Sequence, residues 1–267
     1  MQFHNKDVVV PFHSKDLCIV KMCCDSLHKI YGFKRVFVIG SVDPKIENTL
    51  FINEHDIKNI VSLDEIRARW FREFPALWQR SGWIYQQFIK LGASQIISDI
   101  SEDFLISDSD IIFLRNLYSE IEDEEGIFPY APAFTGEYHA PYRASYFRLL
   151  KENPESGFSF INHHMWFNKQ QIKNLKSFIE EKNSDRWDNA ILNSVDYSQP
   201  SNFSEYDLYG NWIFKYNKEK MRKIENIKVT DVYRGPTEED AIAAKEAGFD
   251  ILGSPAFMRG GSPLGDR

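Results

Sequence analysis

Short apolar runs that alternate with helical stretches set the strongest constraint on how this chain folds. The sequence predicts buried strands at Val8–Phe12, Arg35–Gly40, Asn59–Leu63 and Phe104–Ser107. Apolar periodicity predicts helices from about Lys15 to Ile30 and from about Ala76 to Leu91, the second one ended by Gly92. Because buried strands that alternate with helices form parallel sheets, we expect an α/β fold with a mainly parallel central sheet flanked by helices.

Composition and charge restrict the class of protein further. With 267 residues, 43% of them hydrophobic, the chain is large enough to bury a substantial core. The formal net charge of -7 argues against nucleic acid or an anionic membrane as the main partner. Cys18, Cys23 and Cys24 offer no disulfide framework and the N-terminus shows no signal-peptide pattern, so we expect a cytoplasmic protein. No apolar run reaches about 18 residues, so no transmembrane segment is expected.

Two carboxylates, Asp108 and Asp110, follow the strand predicted at Phe104–Ser107. In an extended segment the side chains at i and i+2 point to the same face, so both can meet one cation while Ser109 points away. Buried carboxylates are costly unless they are neutralised, and Mg²⁺ or Mn²⁺ prefers oxygen ligands. The pair therefore predicts a metal site. The alternative is a strand-end turn whose carboxylates cap backbone amides.

The predicted topology brings this pair to the edge of the sheet where ligands gather. Parallel strands end on the same side, so the loop after Val10, the loop after Ile39 and the Asp108–Asp110 turn share one edge. Open α/β sheets bind their ligands outside the carboxyl ends of the strands.

The second half of the chain has a different texture. Phe158–Phe167 alternates like a strand, and helices are predicted at Lys169–Lys182, about Arg186–Ser194 and Thr237–Ala247. Residues 128–147 lack clean periodicity, which is typical of binding loops or lids. The Gly/Pro-rich tail Arg259–Arg267 is expected to be disordered or to fold over a site.

Five motifs, taken in order, resemble those of GT-A-type glycosyltransferases, and more closely those of a poorly characterised group of bacterial and viral glycosyltransferase-like proteins. They are the loop Pro11–Asp16, the helix Gly82–Leu91, the Asp108–Asp110 pair, the aromatic-flanked His163–His164 segment and the Ser-Glu-Tyr-x-x-Tyr-Gly motif at Ser204–Gly210. Their order and spacing match from about residue 7 to residue 214.

This resemblance implies a single GT-A (Rossmann-like) domain at 1–231, with a nucleotide-binding half at about 1–115 and an acceptor half at 116–231. Residues 232–267 would form a partly irregular extension. The implied activity is metal-dependent transfer of a sugar from a nucleotide diphosphate sugar, with UDP-sugar favoured, to a saccharide acceptor, and the implied cofactor is Mn²⁺ or Mg²⁺.

The resemblance also implies a donor and cofactor site. Its candidate residues are Pro11, Phe12, His13, Ser14, Lys15, Gly40, Trp83, Gln86, Gln87, Lys90, Asp108, Ser109 and Asp110, of which Asp108 and Asp110 would hold the metal. Simpler interpretations stay open: Ser14 or Asp16 caps the following helix, Gly40 forms a plain turn, and Trp83 packs in the core.

An inverting transferase needs a base for the acceptor hydroxyl, and Glu205, Asp207 and His164 are the candidates. Alternatively, Ser204 or Glu205 caps a short helix, and His164 is a buried structural residue.

Other residues are weaker candidates for this site. His163 and His164 are predicted to face opposite sides of a strand, and the sequence does not decide which one faces the cleft. Trp187 and Asp188 are further candidates for the base, and His139 for the acceptor site. The resemblance implies a third metal ligand from a late His, but all seven His lie at or before His164. Water, substrate oxygens or Asp231 would then complete the shell.

Two rival functions remain. A haloacid-dehalogenase-type phosphatase also carries a D-x-D after an apolar strand, but there the motif usually opens the domain, whereas in this chain a long α/β stretch precedes Asp108. A non-catalytic module that binds sugar nucleotides or glycans would tolerate loss of the carboxylate pair, which is intact in this chain.

Overall fold

The computed structural model describes residues 3–119, 121, 126–131 and 138–255. Within these ranges the helices are α1 (Leu17–Tyr31), α2 (Leu63–Glu73), α3 (Ser81–Ile96), α4 (Ala140–Leu150), α5 (Lys169–Asn183), α6 (Trp187–Ser194), α7 (Glu205–Tyr216) and α8 (Glu238–Glu246). The strands are β1 (Asp7–Pro11), β2 (Arg35–Gly40), β3 (Thr49–Asn53), β4 (Asp103–Ser107), β5 (Ile111–Phe113), β6 (Phe128–Tyr130), β7 (His164–Asn168), β8 (Met221–Lys223), β9 (Val229–Asp231) and β10 (Ile251–Gly253).

The central sheet has the strand order β3-β2-β1-β4-β7. The first four strands run parallel, and β7 pairs with β4 in the antiparallel direction. This arrangement confirms the predicted α/β class and its mainly parallel central sheet. The carboxyl ends of β1, β2 and β4 lie side by side, which brings the loops that follow them to one edge of the sheet.

The sheet lies between two hydrophobic cores, because alternate side chains of each strand point to opposite faces. In β1, Val8 and Val10 pack with α1, whereas Val9 packs with residues of the helices on the other face, among them Phe88 of α3. All five residues of β1 and of β4 are buried, which explains why both segments read as continuous apolar runs.

The prediction of a strand at Asn59–Leu63 is wrong. The third strand along the chain, β3, lies earlier, at Thr49–Asn53. The apolar residues Ile60 and Val61 are buried as predicted. They lie in the segment that leads into α2 and pack in the core on the same face of the sheet as α3. β3 is half-buried along most of its length, as expected of a strand at the edge of a sheet, and its apolar pattern is therefore weaker.

The helix that includes the motif Gly82–Leu91 continues beyond the predicted end at Gly92, to Ile96. Gly92 lies inside α3. A Cβ atom at this position would stand only 2.8 Å from Cγ2 of Ile60, which leaves room only for glycine. Close packing, rather than helix termination, therefore explains this glycine.

In the second half, the strand predicted at Phe158–Phe167 is shorter and begins at His164. The stretch expected to be irregular contains α4, at Ala140–Leu150. The helices predicted near α5, α6 and α8 are confirmed within one or two residues.

Two smaller sheets extend the fold. β10 pairs antiparallel with β5 and parallel with β9, and β6 pairs with β8. The predicted tail Arg259–Arg267 lies outside the described residues. Within the part of the chain that is described, no helix is both long enough and apolar enough to cross a membrane.

Candidate metal centre

The turn between β4 and β5 is fixed by three different parts of the chain. The backbone N–H of Asp108 donates to the carbonyl of His163 at 2.8 Å. The Ser109 hydroxyl donates to the Asp16 carboxylate at 3.0 Å, and the backbone N–H of Ser254 donates to the carbonyl of Asp110 at 2.8 Å. The loop after β1, the residue before β7 and the residue after β10 therefore all meet at this turn.

A group of potential metal ligands results from this arrangement. One ligand atom each from Asp108, Asp110 and His163 lies within 4.8 Å of the others, and all three residues are half-buried. The Nδ1 atom of His163 is 3.7 Å from Oδ2 of Asp108. The donor set fits a divalent cation: carboxylates suit Mn²⁺ and Mg²⁺, and the imidazole shifts the preference toward the transition metal.

Electrostatics at the turn favour the charged forms of His163 and Asp108. Burial opposes the charged form of His163, but the nearby carboxylate of Asp108 outweighs it and raises the pKa of His163. Burial likewise opposes the carboxylate of Asp108, yet the charge of Lys90 and the nearby imidazole of His163 hold the pKa of Asp108 well below its ordinary value. A cation bound by the imidazole would compete with a proton for the same nitrogen.

Lys90 connects this turn to α7. Its Nζ atom lies 2.6 Å from Oδ1 of Asp108 and 2.6 Å from Oε1 of Glu205. The same ammonium stands 4.4 Å from the centre of the Tyr206 ring, and the Tyr206 hydroxyl donates to Oδ1 of Asp108 at 3.1 Å. Asp108 therefore has one oxygen occupied by protein donors, while Oδ2 faces His163.

Gln87, one helical turn before Lys90 on α3, also reaches the start of α7. Its Oε1 atom accepts the backbone N–H of Glu205 at 3.1 Å. Only 2% of Gln87 is exposed, and its Nε2 atom has no hydrogen-bond partner among the described residues. Burial raises the pKa of Glu205, and the charge of Lys90 partly offsets that effect. The motifs on α3 and α7 thus form one polar cluster.

Asp207 lies on the same helix but serves a different contact. Its Oδ1 atom accepts the backbone N–H of Phe160 at 3.1 Å, and Nε of Arg143 stands 3.9 Å from its other oxygen. The Ser204 side chain accepts the backbone N–H of Asp207 and so caps α7. The capping role considered for Ser204 is therefore present, and the Glu205 side chain is still able to reach Lys90.

His164 does not join the cluster. It is buried, packs edge-on against Phe113 and Tyr118, and neither ring nitrogen has a hydrogen-bond partner among the described residues. Burial lowers the pKa of His164 to about 3. The structure thus puts His163 beside Asp108 and His164 in the apolar core, which favours the structural interpretation of His164 over a role as base.

The loop after β1 contacts the Asp108–Asp110 turn through Asp16, which accepts the Ser109 hydroxyl. Pro11 is the last residue of β1. The Phe12 ring packs against Gly40, where a Cβ atom would come within 2.4 Å of the ring, so the glycine permits this close packing. His13 caps the turn at 14–16 by accepting the Lys15 backbone N–H, while Ser14 and Lys15 lie at the surface. Asp16 does not cap α1 with its side chain, contrary to the simpler interpretation.

The remaining candidates lie outside the turn. Trp83 is half-buried under the guanidinium of Arg80, at 4.2 Å, and Gln86 is half-buried on α3. Asp188 is fully buried and accepts the backbone N–H of Val61, which is a structural role. His139 bonds the carbonyl of Ser201, in the loop that leads to α7.

Sequence reasoning did not identify His163 as a potential third ligand. The signal was present in the His163–His164 pair, since one of the two had to face the cleft. Deciding between them required the antiparallel register of β7 against β4. In that register Ser107 pairs with His164, and His163 therefore lies opposite Asp108. Asp231, the expected alternative, is near enough to influence the pKa of His163 but does not belong to the ligand group.

A separate cleft of about 820 Å³ lies at the far end of β5 from this turn. It is lined by polar and aliphatic residues, including Ile224 and the ion pair of Arg115 with Asp250. None of the candidate metal ligands lines it.

Fold and site together describe an α/β protein with a potential metal centre at the carboxyl edge of its parallel strands. Residues 29–247 match the model of a family of unknown function (DUF6492), and the chain belongs to that family. No curated protein matches the sequence.

Several solved glycosyltransferase structures are similar to the chain at low sequence identity. The galactosyltransferase LgtC, solved with donor and acceptor sugar analogues, is 11% identical over 93% of this chain and 86% of its own, with a TM-score of 0.47. Mouse xyloside xylosyltransferase 1 is 13% identical over 93% and 97%, with a TM-score of 0.46. GlyE of Streptococcus pneumoniae TIGR4 is 12% identical over 94% and 54%, also at 0.46. At these values the likenesses carry no inference about the activity of this chain.

Proposed function

We propose that this protein is a metal-dependent glycosyltransferase that moves a sugar from a nucleotide diphosphate sugar to a saccharide acceptor. The observation that carries the proposal is the convergence of Asp108, Asp110 and His163, with ligand atoms within 4.8 Å of one another, at the carboxyl edge of the parallel strands. The sequence motifs support the transferase class, and on that resemblance we favour a UDP-sugar as the donor.

Asp108, Asp110 and His163 would hold Mn²⁺ or Mg²⁺, which, when bound, stabilises the negative charge of a diphosphate leaving group. Lys90 and Tyr206 fix the orientation of Asp108 through its Oδ1 atom. The Ser109–Asp16 bond holds the turn against the loop after β1, where the nucleoside would lie.

Glu205 is the residue we propose as base if the reaction inverts configuration. In that step the acceptor oxygen forms a bond to the anomeric carbon, the bond from that carbon to the diphosphate oxygen breaks, and the hydroxyl proton passes to the Glu205 carboxylate. A buried carboxylate with a raised pKa accepts a proton more readily than one in water. Asp207 is the second candidate, although its Oδ1 atom already accepts two donors from the 159–160 segment.

A thermal-shift screen tests the proposal. UDP-, GDP-, CMP- and dTDP-sugars are each added with and without Mn²⁺, and the melting temperature is recorded. We expect one nucleotide class to raise the melting temperature only when Mn²⁺ is present, because a ligand that binds the folded state stabilises it. If no nucleotide sugar raises it, the transferase proposal fails.

A further inference from the structure

Lys90 is a positive charge built into a site that is proposed to hold a divalent cation. Its side chain is only 9% exposed, and it contacts Asp108 and Glu205 at 2.6 Å each. Glu205 is itself buried, with only 3% of its surface exposed, so this is not an ion pair of the open surface. Solvent therefore screens this cluster weakly.

The same ammonium opposes a second cation nearby. Asp108 offers its Oδ1 atom to Lys90 and Tyr206, and its Oδ2 atom lies on the side of His163. A divalent ion held at Oδ2 would be separated from Lys90 by a single carboxylate group. Like charges at this separation repel, and the burial of Lys90 limits the screening by solvent.

We infer that Lys90 is a positioning residue and counter-cation that holds Asp108 in place while weakening the binding of a divalent cation in the absence of donor. Glu205 moderates this effect, because it neutralises part of the Lys90 charge. A diphosphate brings negative charge of its own, which offsets the repulsion, so metal and donor bind tightly only together. The inference rests on the metal site of the proposed function.

Calorimetric titration of Mn²⁺ into the protein without nucleotide tests it. We expect Lys90→Gln, which removes the charge and keeps a hydrogen-bond donor, to bind Mn²⁺ at least about tenfold more tightly than the wild type. Lys90→Arg keeps the charge and should stay within about threefold of the wild type. A residue that merely supports the structure would weaken binding when replaced, so unchanged or weaker binding by Lys90→Gln overturns the inference.

Glu205→Gln provides a second variant in case Lys90→Gln does not fold. It leaves the Lys90 charge less neutralised, so Mn²⁺ affinity should fall by about threefold or more; unchanged or tighter binding contradicts the inference. Failure of the two proposals can be told apart. If the wild type binds Mn²⁺ and Lys90→Gln binds it no more tightly, only the role of Lys90 is overturned. Tighter binding by Lys90→Gln without any response to nucleotide sugars overturns only the transferase.

Discussion

The two ends of the central sheet both carry buried charges, but they are arranged differently. At the amino ends of the strands, Asp7 accepts two bonds from Arg35, at 2.8 and 3.0 Å, and the backbone N–H of Ser101 at 2.7 Å. Asp103 accepts Lys6 at 3.2 Å and Asn168 at 2.8 Å. Each of these buried carboxylates has a basic partner, as expected of a cluster that serves stability.

At the carboxyl ends the balance is different. Asp108 and Glu205 share one buried ammonium, that of Lys90, and Asp110 and His163 lie close to Asp108. One buried donor of Gln87 and one buried oxygen of Asp231 lack partners among the described residues. Carboxylates that share one cation beside unmatched polar atoms are typical of sites that bind a ligand, whereas each buried carboxylate of the amino edge has its own basic partner.

Among the variants that test the difference between the two edges of the sheet, Asp110→Ala should have the largest effect on ligand binding. If the three residues hold the metal as proposed, removing one of them should abolish Mn²⁺-dependent UDP binding, a loss of more than about 100-fold, measured by calorimetry. Unchanged affinity with Mn²⁺ present would rule out the metal assignment.

Asp7→Ala is the matched change at the other edge. It breaks the bonds to Arg35 and Ser101, so the free energy of unfolding should fall by about 3 kcal/mol, as judged by urea denaturation. Mn²⁺ affinity of the folded variant should stay at the wild-type value. If this variant lost metal binding and kept its stability, the contrast between the two edges would be wrong.

Glu205→Gln should act on turnover more than on binding. With the carboxylate gone, kcat should fall by about 100-fold or more, while nucleotide affinity changes by less than about tenfold. Steady-state kinetics with the donor found in the thermal-shift screen would measure both. Wild-type turnover would transfer the proposed role to Asp207.

Lys176 is a third kind of buried charge, on α5, and it lacks an acidic partner at hydrogen-bond distance among the described residues. Its Nζ atom donates to Gln95 at 2.7 Å and lies 4.3 Å from the centre of the Trp187 ring. Burial lowers the pKa of Lys176 from 10.5 to about 7. The unfolded chain therefore binds the extra proton between about pH 7 and 10.5, and the free energy of unfolding should rise with pH across that window.

Lys176→Met should remove that pH dependence and stabilise the protein at pH 6.5. The gain should be only about 1–2 kcal/mol, because the contact with Trp187 favours the charged form and reduces the penalty. Chemical denaturation at pH 6.5 and pH 9.5 provides the measurement. An equal slope in wild type and variant would show that Lys176 stays protonated throughout.

The sequence predicted the parallel core of the fold and the position of Asp108 and Asp110, because both depend on local patterns. A buried strand reads as an apolar run, and a strand end is marked by its polar residues. The half-buried edge strand β3 was missed for the complementary reason: a nearby buried segment, 59–63, has the stronger apolar signal without being a strand.

The contacts within the site were not predictable in the same way. The sequence identified Gln87, Lys90 and Glu205 as polar residues in suggestive motifs, but nothing local indicates that α3 and α7 point them at each other. His163 required the register of β7 against β4. Such contacts depend on how distant segments pack, and a single sequence carries little information about that.

The bond from Lys90 to Glu205 joins residues 115 positions apart in the chain. During synthesis, at roughly 5–20 residues per second, Glu205 leaves the ribosome about 5–20 s after Asp110. The nascent chain therefore contains the Asp108–Asp110 turn well before it contains α7, the helix that carries Glu205. We expect the contact between Lys90 and Glu205 to form late, once α7 has emerged and packed against the sheet.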